Sequence, residues 1–339
     1  MKKLSILLMA FMMVITATLY GCGDTSGDNY VTIRVNEVTH SIFYAPLYVA
    51  INNGYFEQEG IKIELTNGGG ADKSMTAILS GDADIGLMGP EAAIYVTEGG
   101  AQDKPVVFGQ LTKRDGSFIV SKTAIDNFTV SDMVGKEIIG GRKGGVPALT
   151  LEYVIKEAGL EIGTGSNQVN LRTDVAFNLT ASVFDSTDAE FCTLFEPTAS
   201  ELCAERGYHI VASVGEISGE VPYTAFMARR GYIDENTLTV ERFLRAVYRG
   251  YRFLLTADVN EIAESLKPSF EGVSDQSIII SIQSYVDCDA WVSSPAMTES
   301  AFDRLQNIMM SAGELTEKVQ FSSVVDNTIA NRVYNYFNF

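Results

Sequence analysis

Short apolar stretches alternate with amphipathic ones along the first third of the chain. Residues 31–38 alternate apolar and polar positions, which is the period of a half-buried strand. The helical patterns end at glycines such as Gly54 and Gly81, which suit a helix end. The predicted strands are 31–38, 61–65, 83–88 and 106–111, and the predicted helices are 45–53, 72–80 and 91–98. This alternation with short connections predicts a mostly parallel, doubly wound sheet.

A second run of the same kind follows, and the chain ends in helical patterns. A helix predicted at 147–158 starts with Pro147, where the missing N–H is harmless. The other predicted elements are strands 118–121, 137–139, 168–171, 189–195, 209–214 and 223–228, helices 179–185 and 198–206, and tail helices 240–256, 299–312 and 323–336. The pattern therefore predicts an α/β protein with two doubly wound sheets and a largely helical C-terminal tail.

The two runs fit either two sequential domains or two lobes joined by crossing strands. No Pro/Gly-rich linker lies at mid-chain, and short segments near 112–116 and 218–222 suit two crossings. The crossing arrangement is therefore favoured. It gives lobe one as residues 31–115 and 222–339, and lobe two as residues 116–221.

The N-terminus has the pattern of an export signal. Lys2 and Lys3 precede an uncharged apolar run at 4–20, which ends at Gly21 and Cys22. A Cys after this Gly resembles a bacterial lipobox, although Tyr20 departs from the usual small or aliphatic residue. We expect residues 1–21 to be a signal peptide and 22–30 a tether lipidated at Cys22. The alternative is an uncleaved membrane anchor, and both place the rest outside the cytoplasmic membrane.

The composition and the net charge argue against two classes of protein, disordered chains and nucleic-acid-binding proteins. The 339 residues carry 43 acidic and 25 basic side chains, for a net charge of −18, and 46% are hydrophobic. The apolar content allows an ordinary core, which excludes wholesale disorder. The acidic balance argues against a nucleic-acid partner, because phosphate binding needs a basic surface.

The cysteines and histidines give no sign of a metal or cofactor site. Cys192, Cys203 and Cys288 with the distant His40 and His209 do not form a zinc pattern. Cys192 and Cys203 suit either a disulfide formed after export or two buried thiols. No Ser/His/Asp or Cys/His order is evident, so we expect neither catalysis nor a cofactor.

Four stretches resemble a known family. They are HSIFYAPLYVAINNGYFEQEGI at 40–61, LSGDADIGLMGPE at 79–91, DAEFCTLFEP at 188–197 and GEVPYT at 219–224. Together they are similar to the solute-binding proteins of importers for nitrate, sulfonate, taurine and thiamine-pyrimidine precursors. The resemblance implies a two-lobed fold of the type II periplasmic-binding-protein kind that closes on a ligand. It also implies an ABC permease and its ATPase as partners.

Ligands of doubly wound sheets bind beyond the carboxyl ends of strands, and several candidate residues occupy such places. Those that follow strands of the first run are His40, Phe43, Tyr44, Gly69, Gly89 and Glu91. The aromatic side chains suit a planar ligand, although Phe43 equally suits the core. Glu91 suits a ligand amine or amide, or simply the first turn of its helix.

The glycine-rich segment 140–147 carries the anion-binding candidates. Its candidate residues are Arg142, Lys143, Gly144, Gly145 and Val146. Free N–H groups and a helix N-terminus suit a carboxylate, sulfonate, phosphate or nitrate, while both cations equally suit solvent. The GK[ST] ending of a Walker loop is absent.

Two further candidates lie later in the chain. The resemblance places Glu196 near the cleft, and Tyr223 lies on the strand that returns to lobe one. The tyrosines and Glu91 favour a nitrogen heterocycle, whereas 142–147 favours an anion. The acidic net charge tips the expectation slightly to the heterocycle. An enzyme of pyrimidine metabolism on the same fold and a ligand-sensing module remain the alternatives.

Overall fold

The computed structural model describes residues 30–100 and 102–338, whose strands form two five-stranded sheets. The strands are β1 (Val31–Glu37), β2 (Ile61–Asn67), β3 (Ile85–Met88), β4 (Pro105–Thr112), β5 (Ser117–Ser121), β6 (Glu137–Ile139), β7 (Asn170–Arg172), β8 (Phe191–Phe195), β9 (His209–Ser213) and β10 (Thr224–Arg229). The helices are α1 (Ala45–Asn52), α2 (Tyr55–Gln58), α3 (Ala71–Ser80), α4 (Glu91–Glu98), α5 (Val146–Glu157), α6 (Thr180–Ser186), α7 (Thr198–Arg206), α8 (Val214–Ser218), α9 (Arg230–Glu235), α10 (Thr237–Thr256), α11 (Val259–Leu266), α12 (Asp275–Asp287), α13 (Glu299–Ser311) and α14 (Thr328–Asn338).

Each sheet contains one strand that opposes the other four. The first sheet has the order β2-β1-β3-β10-β4, with β10 antiparallel to β3 and β4. The second has the order β7-β6-β8-β5-β9, with β5 antiparallel to β8 and β9. The strands β5 and β10 are the first that the chain forms after each passage between the sheets. We call each sheet with its packed helices a lobe.

The chain crosses from one lobe to the other twice, and backbone hydrogen bonds join the two crossing segments. Residues 113–116 connect β4 to β5, and residues 219–223 connect α8 to β10. The Val221 N–H donates to the Lys113 carbonyl at 2.8 Å, and the Tyr223 N–H donates to the Thr112 carbonyl at 3.1 Å. This paired connection is where a change of angle between the lobes would take place.

The C-terminal helices return to the first sheet. Helix α10 packs along α1, and a Cβ on Gly250 would overlap the Pro46 carbonyl, so only glycine allows this close approach. Helix α14 packs on α10 and β4, and Val325 forms a bridge with Val107 of β4. Because these helices cover it, β4 is buried along its whole length.

The predicted fold class is confirmed: the molecule has two α/β sheets and a helical C-terminal region. The residue limits of the two lobes stay a prediction. The signal at 1–21 and the lipidation site Cys22 lie outside the described residues. No helix within residues 30–100 and 102–338 combines the length and the apolar character needed to span a bilayer.

Candidate functional site

A cavity of about 380 Å³ lies between the two lobes. Its walls come from the segments that follow β1, β2 and β3 in the first lobe, from the segments that follow β6 and β7 in the second, and from Phe195 at the end of β8. These are the carboxyl ends of strands, where doubly wound sheets place their ligands. The strand–helix pattern thus concentrates the loops of both lobes at one cleft.

Aromatic and aliphatic side chains form much of the cavity wall. Tyr44, Phe177, Phe195 and Tyr223 line it together with the aliphatic Val146. The ring of Phe43 lies underneath this wall and is fully buried, 5.7 Å from Tyr44 and Tyr223 between ring centroids. The arrangement suits a flat ligand, and Phe43 supports the wall without lining the cavity.

Among the described residues that line the cavity, Glu91 and Tyr223 each have a buried polar atom without a hydrogen-bond partner, and Glu91 is the one that carries a charge. It stands in the first turn of α4, is 2% exposed, and accepts a hydrogen bond at Oε1 from the Val146 N–H at 3.3 Å. Its Oε2 is buried and has no partner among the described residues. Burial raises the pKa of this carboxyl to about 7. A ligand N–H placed here would satisfy the free oxygen.

The backbone at Gly89 makes room for this carboxyl. A Cβ at Gly89 would overlap the Glu91 carboxyl group, which folds back over the glycine. Gly89 therefore allows a close approach, and the approaching group is the protein's own carboxylate. The pair Gly89 and Glu91 acts as one unit at the end of β3.

The glycine-rich segment between β6 and α5 meets acidic side chains of the rest of the molecule. Arg142 forms an ion pair with Asp72 of α3 at 2.8 Å, and the Lys143 Nζ lies 3.7 Å from a carboxylate oxygen of Glu314 in the tail. The Tyr95 hydroxyl of α4 donates to the Gly144 carbonyl at 3.0 Å. We call these three contacts, with the Val146–Glu91 hydrogen bond, the latch.

Backbone geometry fixes the shape of the latch segment. Gly144 has φ of +78°, a left-handed conformation that glycine adopts without strain, and Gly145 precedes the first residue of α5. Both glycines and both cations line the cavity, as does Val146. Their charges and the Val146 N–H already have acidic partners. An anion would have to displace them.

A second, smaller cavity of about 110 Å³ adjoins the first. The candidates His40 and Glu196 line this cavity and not the larger one. Gly69 lines neither cavity and adopts a left-handed φ of +69° in the turn before α3. The candidate residues that share the larger cavity are Tyr44, Gly89, Glu91, Arg142, Lys143, Gly144, Gly145, Val146 and Tyr223.

Asp115 is a buried acid that sequence patterns did not single out. It lies in the first passage between the lobes, is fully buried, and accepts from the Ser117 N–H at 2.7 Å and the Ser117 hydroxyl at 2.6 Å. Burial raises its pKa to about 7. The Asp115 carboxylate raises the pKa of the buried Tyr223 phenol further, after burial itself. The cavity wall is thus electrostatically linked to the interlobe connection.

Several latch and wall residues also escaped prediction. Asp72 carried a usable signal, since it lies in the first turn of a helix that directly follows three glycines. Phe177 and Glu314 lie in segments with no regular pattern, and only folding brings them to the cleft. Cys192, Cys203 and Cys288 are free thiols in this structure.

Comparison with known proteins identifies the family. A family model described as NMT1/THI5 like matches residues 42–258. The chain belongs to the NMT1/THI5-like family. Three of the four motifs that carried the resemblance lie wholly inside the matched range, and the resemblance is confirmed.

Individual members and structures agree with this family. The protein YtlA of Bacillus subtilis (strain 168), which carries a provisional assignment as a binding protein, is 38% identical over 302 residues, covering 89% of each chain. A formylaminopyrimidine-binding protein of Halalkalibacterium halodurans is 23% identical over 293 residues, covering 76% of this chain and 85% of that protein. The crystal structure of the periplasmic nitrate-binding protein NrtA from Synechocystis PCC 6803 has a TM-score of 0.72 at 14% identity, with 91% of this chain and 89% of that chain covered. The fold is that of periplasmic binding proteins.

Proposed function

We propose that this protein is the extracytoplasmic solute-binding protein of an ABC importer. Its ligand is a flat nitrogen heterocycle that carries N–H donors. The lobes close on this ligand, and the protein delivers it unchanged to a membrane permease driven by an ATPase. A lipid on Cys22 holds the protein at the outer face of the membrane. The family membership and the cavity between two lobes support this role.

The observation that carries the choice of ligand is the free Oε2 of Glu91. A buried acceptor without a partner is costly, and a ligand N–H that reaches it removes this cost. At pH values above its pKa of about 7, the ionised carboxylate favours a donor and repels an anion. The aromatic walls at Tyr44 and Tyr223 add favourable contact with a planar ring.

The state of the latch also argues against a small anion as the ligand. Arg142 and Lys143 face Asp72 and Glu314, so their charge is already balanced. The Val146 N–H, the donor best placed for an anion, lies 3.3 Å from the Glu91 carboxylate. An amide-bearing pyrimidine is also what the H. halodurans relative is named for, whereas NrtA, named for nitrate, shares only the fold.

Calorimetric titration with 4-aminopyrimidine, methanesulfonate and nitrate at about pH 8 tests this proposal. We expect binding of the aminopyrimidine alone. Glu91→Gln should weaken it at least tenfold, because a hydrogen bond to a charged group is worth about 1.5–3 kcal/mol. Gly89→Ala should weaken it similarly, because the added methyl displaces the Glu91 carboxyl.

The matched control is Glu201→Gln, which neutralises a partly buried carboxylate on α7 outside both cavities. This variant should bind like the native protein. Tight binding of methanesulfonate or nitrate with no response to aminopyrimidine would overturn the proposed ligand class. An equal loss in Glu201→Gln and Glu91→Gln would overturn the role given to Glu91.

A further inference from the structure

The two crossing segments that join the lobes contain two buried oxygen atoms without hydrogen-bond partners. They are Oδ2 of Asp115 in the first segment and the hydroxyl oxygen of Tyr223 in the second, and neither has a partner in the part of the chain that the structure describes. Both residues are almost completely buried. A buried polar atom without a partner costs free energy, and folded proteins keep few of them. Two such oxygens at the connection between the lobes therefore point to a function.

The two oxygens belong to opposite sides of this connection. Asp115 is held to the second lobe, because its Oδ1 accepts from the N–H and the hydroxyl of Ser117, the first residue of β5. Tyr223 directly precedes β10 of the first lobe, and its N–H donates to the Thr112 carbonyl at the end of β4. The Tyr223 hydroxyl faces Asp115 and lowers the pKa of its carboxyl, but the two groups form no hydrogen bond in this arrangement. A change of angle between the lobes would alter the space between them.

The basic side chains of the same segment are paired with another acid. The Lys113 Nζ lies 2.7 Å from a carboxylate oxygen of Asp289, and Arg114 lies 4.0 Å from the same oxygen. Neither forms an ion pair with Asp115 within the described residues. An ionised Asp115 would therefore be a buried charge without a compensating cation, which is unfavourable in a medium of low dielectric constant.

The connection is tightly packed around Asp115. A Cβ on Gly116 would overlap the ring of Phe43, so the chain passes directly against that ring. The titratable groups that face Asp115 are the Tyr223 phenol and the thiol of Cys288, which follows α12. Burial raises the pKa of both, that of Cys288 to about 12, so both stay neutral near pH 7. Of these three groups, Asp115 is the one that changes charge near neutral pH.

We propose that Asp115 is a proton-controlled switch between a closed and an open arrangement of the two lobes. A neutral carboxyl fits the tightly packed connection of this structure. An ionised carboxylate needs water or a donor at its free oxygen, so it favours a wider angle that lets water into the connection. This inference rests on the lobe closure of the proposed function and extends it, because the proton acts on the lobe angle before any ligand binds.

Acidic pH favours the closed arrangement in this scheme. Burial raises the pKa of Asp115 to about 7 in the present arrangement, whereas hydration in an open connection brings it nearer to its ordinary value of 3.8. The closed form therefore binds the proton more tightly. Its population relative to the open form falls as pH rises toward 7 and is constant above that. Between about pH 5.5 and about pH 8 the ratio of closed to open molecules should fall roughly tenfold.

The test is small-angle X-ray scattering of the ligand-free Glu91→Gln variant at about pH 5.5 and about pH 8. This background is needed because Glu91 also joins the lobes, through the Val146 N–H, and its pKa is about 7. We expect a larger radius of gyration at the higher pH. Adding Asp115→Asn should remove most of this difference and keep the smaller radius at both pH values, because the amide is always neutral and can donate to the Tyr223 hydroxyl oxygen.

A second variant in the same background is Tyr223→Phe, which removes the hydroxyl that faces Asp115. It should move the transition in radius to higher pH, because the ionised carboxylate loses the donor that favours it. A merely structural defect would not shift the transition in this direction. The control is Glu201→Gln on α7, where burial also raises the pKa of the carboxyl, and it should keep the pH dependence.

Two results would overturn the switch. One is an equal radius at both pH values in Glu91→Gln, and the other is the same pH dependence with and without Asp115→Asn. Because no ligand is present, either result leaves the proposed ligand class intact. Failure of 4-aminopyrimidine to bind the native protein, with the pH response preserved, would overturn the ligand class alone.

Discussion

His40 shows how the chemistry of a single residue depends on its partners. A carbonyl oxygen only accepts, so the contact with Ser269 requires a proton on Nε2. The opposite nitrogen faces the buried carboxylate of Glu37, which the Tyr48 hydroxyl also contacts at 2.5 Å. The hydrogen bond to Glu37 is the main cause that raises the pKa of His40 above its ordinary value of 6.5. The imidazolium thus holds the loop after β1 in place.

This ion pair predicts a pH-dependent contribution to stability. A base whose pKa is raised by folding stabilises the folded state fully below its unfolded pKa of 6.5, and loses this contribution as pH rises through the folded value. His40→Gln should therefore lower the melting temperature by a few degrees more at about pH 6 than at about pH 9. Thermal unfolding followed by circular dichroism measures this difference.

The matched variant is His209→Gln at an exposed position on β9. It should show no such difference between the two pH values. If His40→Gln cost the same stability at both pH values, the charge of His40 would play no part in holding the loop.

At the scale of elements, the connection between β6 and α5 closes the cleft. Its Arg142 contacts α3, its Lys143 contacts the C-terminal tail, and its Gly144 carbonyl contacts α4. The Arg142–Asp72 pair is partly exposed, so it is worth at most about 1 kcal/mol. Several such contacts together hold the two lobes in the arrangement of this structure, which we interpret as the closed form. They do not lock it.

This interpretation predicts the effect of Asp72→Asn on ligand affinity. If Arg142 serves the latch, removing its partner should weaken binding of 4-aminopyrimidine by up to about fivefold. The dependence of affinity on sodium chloride should also become flatter, because salt screens exposed ion pairs. Calorimetry at low and high salt measures both quantities.

A gain in anion affinity in Asp72→Asn would show that Arg142 contacts the ligand instead. If Arg142 served the ligand, freeing it from Asp72 would strengthen the binding of an anion such as methanesulfonate. Arg206→Gln is the control, because it breaks the 3.0 Å Arg206–Asp185 pair inside the second lobe. It should leave the affinity and its salt dependence unchanged.

At the scale of the whole molecule, the two bonded passages near 113–116 and 219–223 connect lobes that enclose the cleft. Asp115 and Tyr223 lie in this connection, and Tyr223 also lines the ligand cavity. A ligand that contacts Tyr223 therefore touches the part of the molecule where the lobes join. If the lobes close on the ligand as we propose, this arrangement couples closure to binding.

Small-angle X-ray scattering tests the coupling. Adding 4-aminopyrimidine at a saturating concentration should reduce the radius of gyration, because the ligand favours the closed form. The same addition to Glu91→Gln, at a concentration that saturates only the native protein, should leave the radius unchanged. An unchanged radius for the native protein under saturation would show that the lobes do not close on the ligand.

Much of the fold could be predicted because its signals are local. The strand of residues 31–38 and the helix after Pro147 follow from periodicity and from the backbone chemistry of Pro and Gly. The opposed direction of β5 and β10 could not be predicted, because strand direction depends on pairing between segments far apart in sequence. Helices α11 and α12 were not predicted either, because their sequence patterns are weaker than those of the strands.

The sequence by itself determined the alternation of strands and helices in the two α/β runs, the family, and the presence of Glu91 and Arg142 after the ends of strands. The tertiary structure decided what these two residues do. It pairs Arg142 with Asp72, which is 70 residues away, and leaves one oxygen of Glu91 free in a cavity. The periodicity of apolar residues determines whether a segment forms a helix or a strand. The partner of a charged group depends instead on which distant segments pack together. That is why the segment 140–147 suggests an anion site in the sequence, whereas the packed cleft gives its cations acidic partners and supports the donor-bearing ring that we propose.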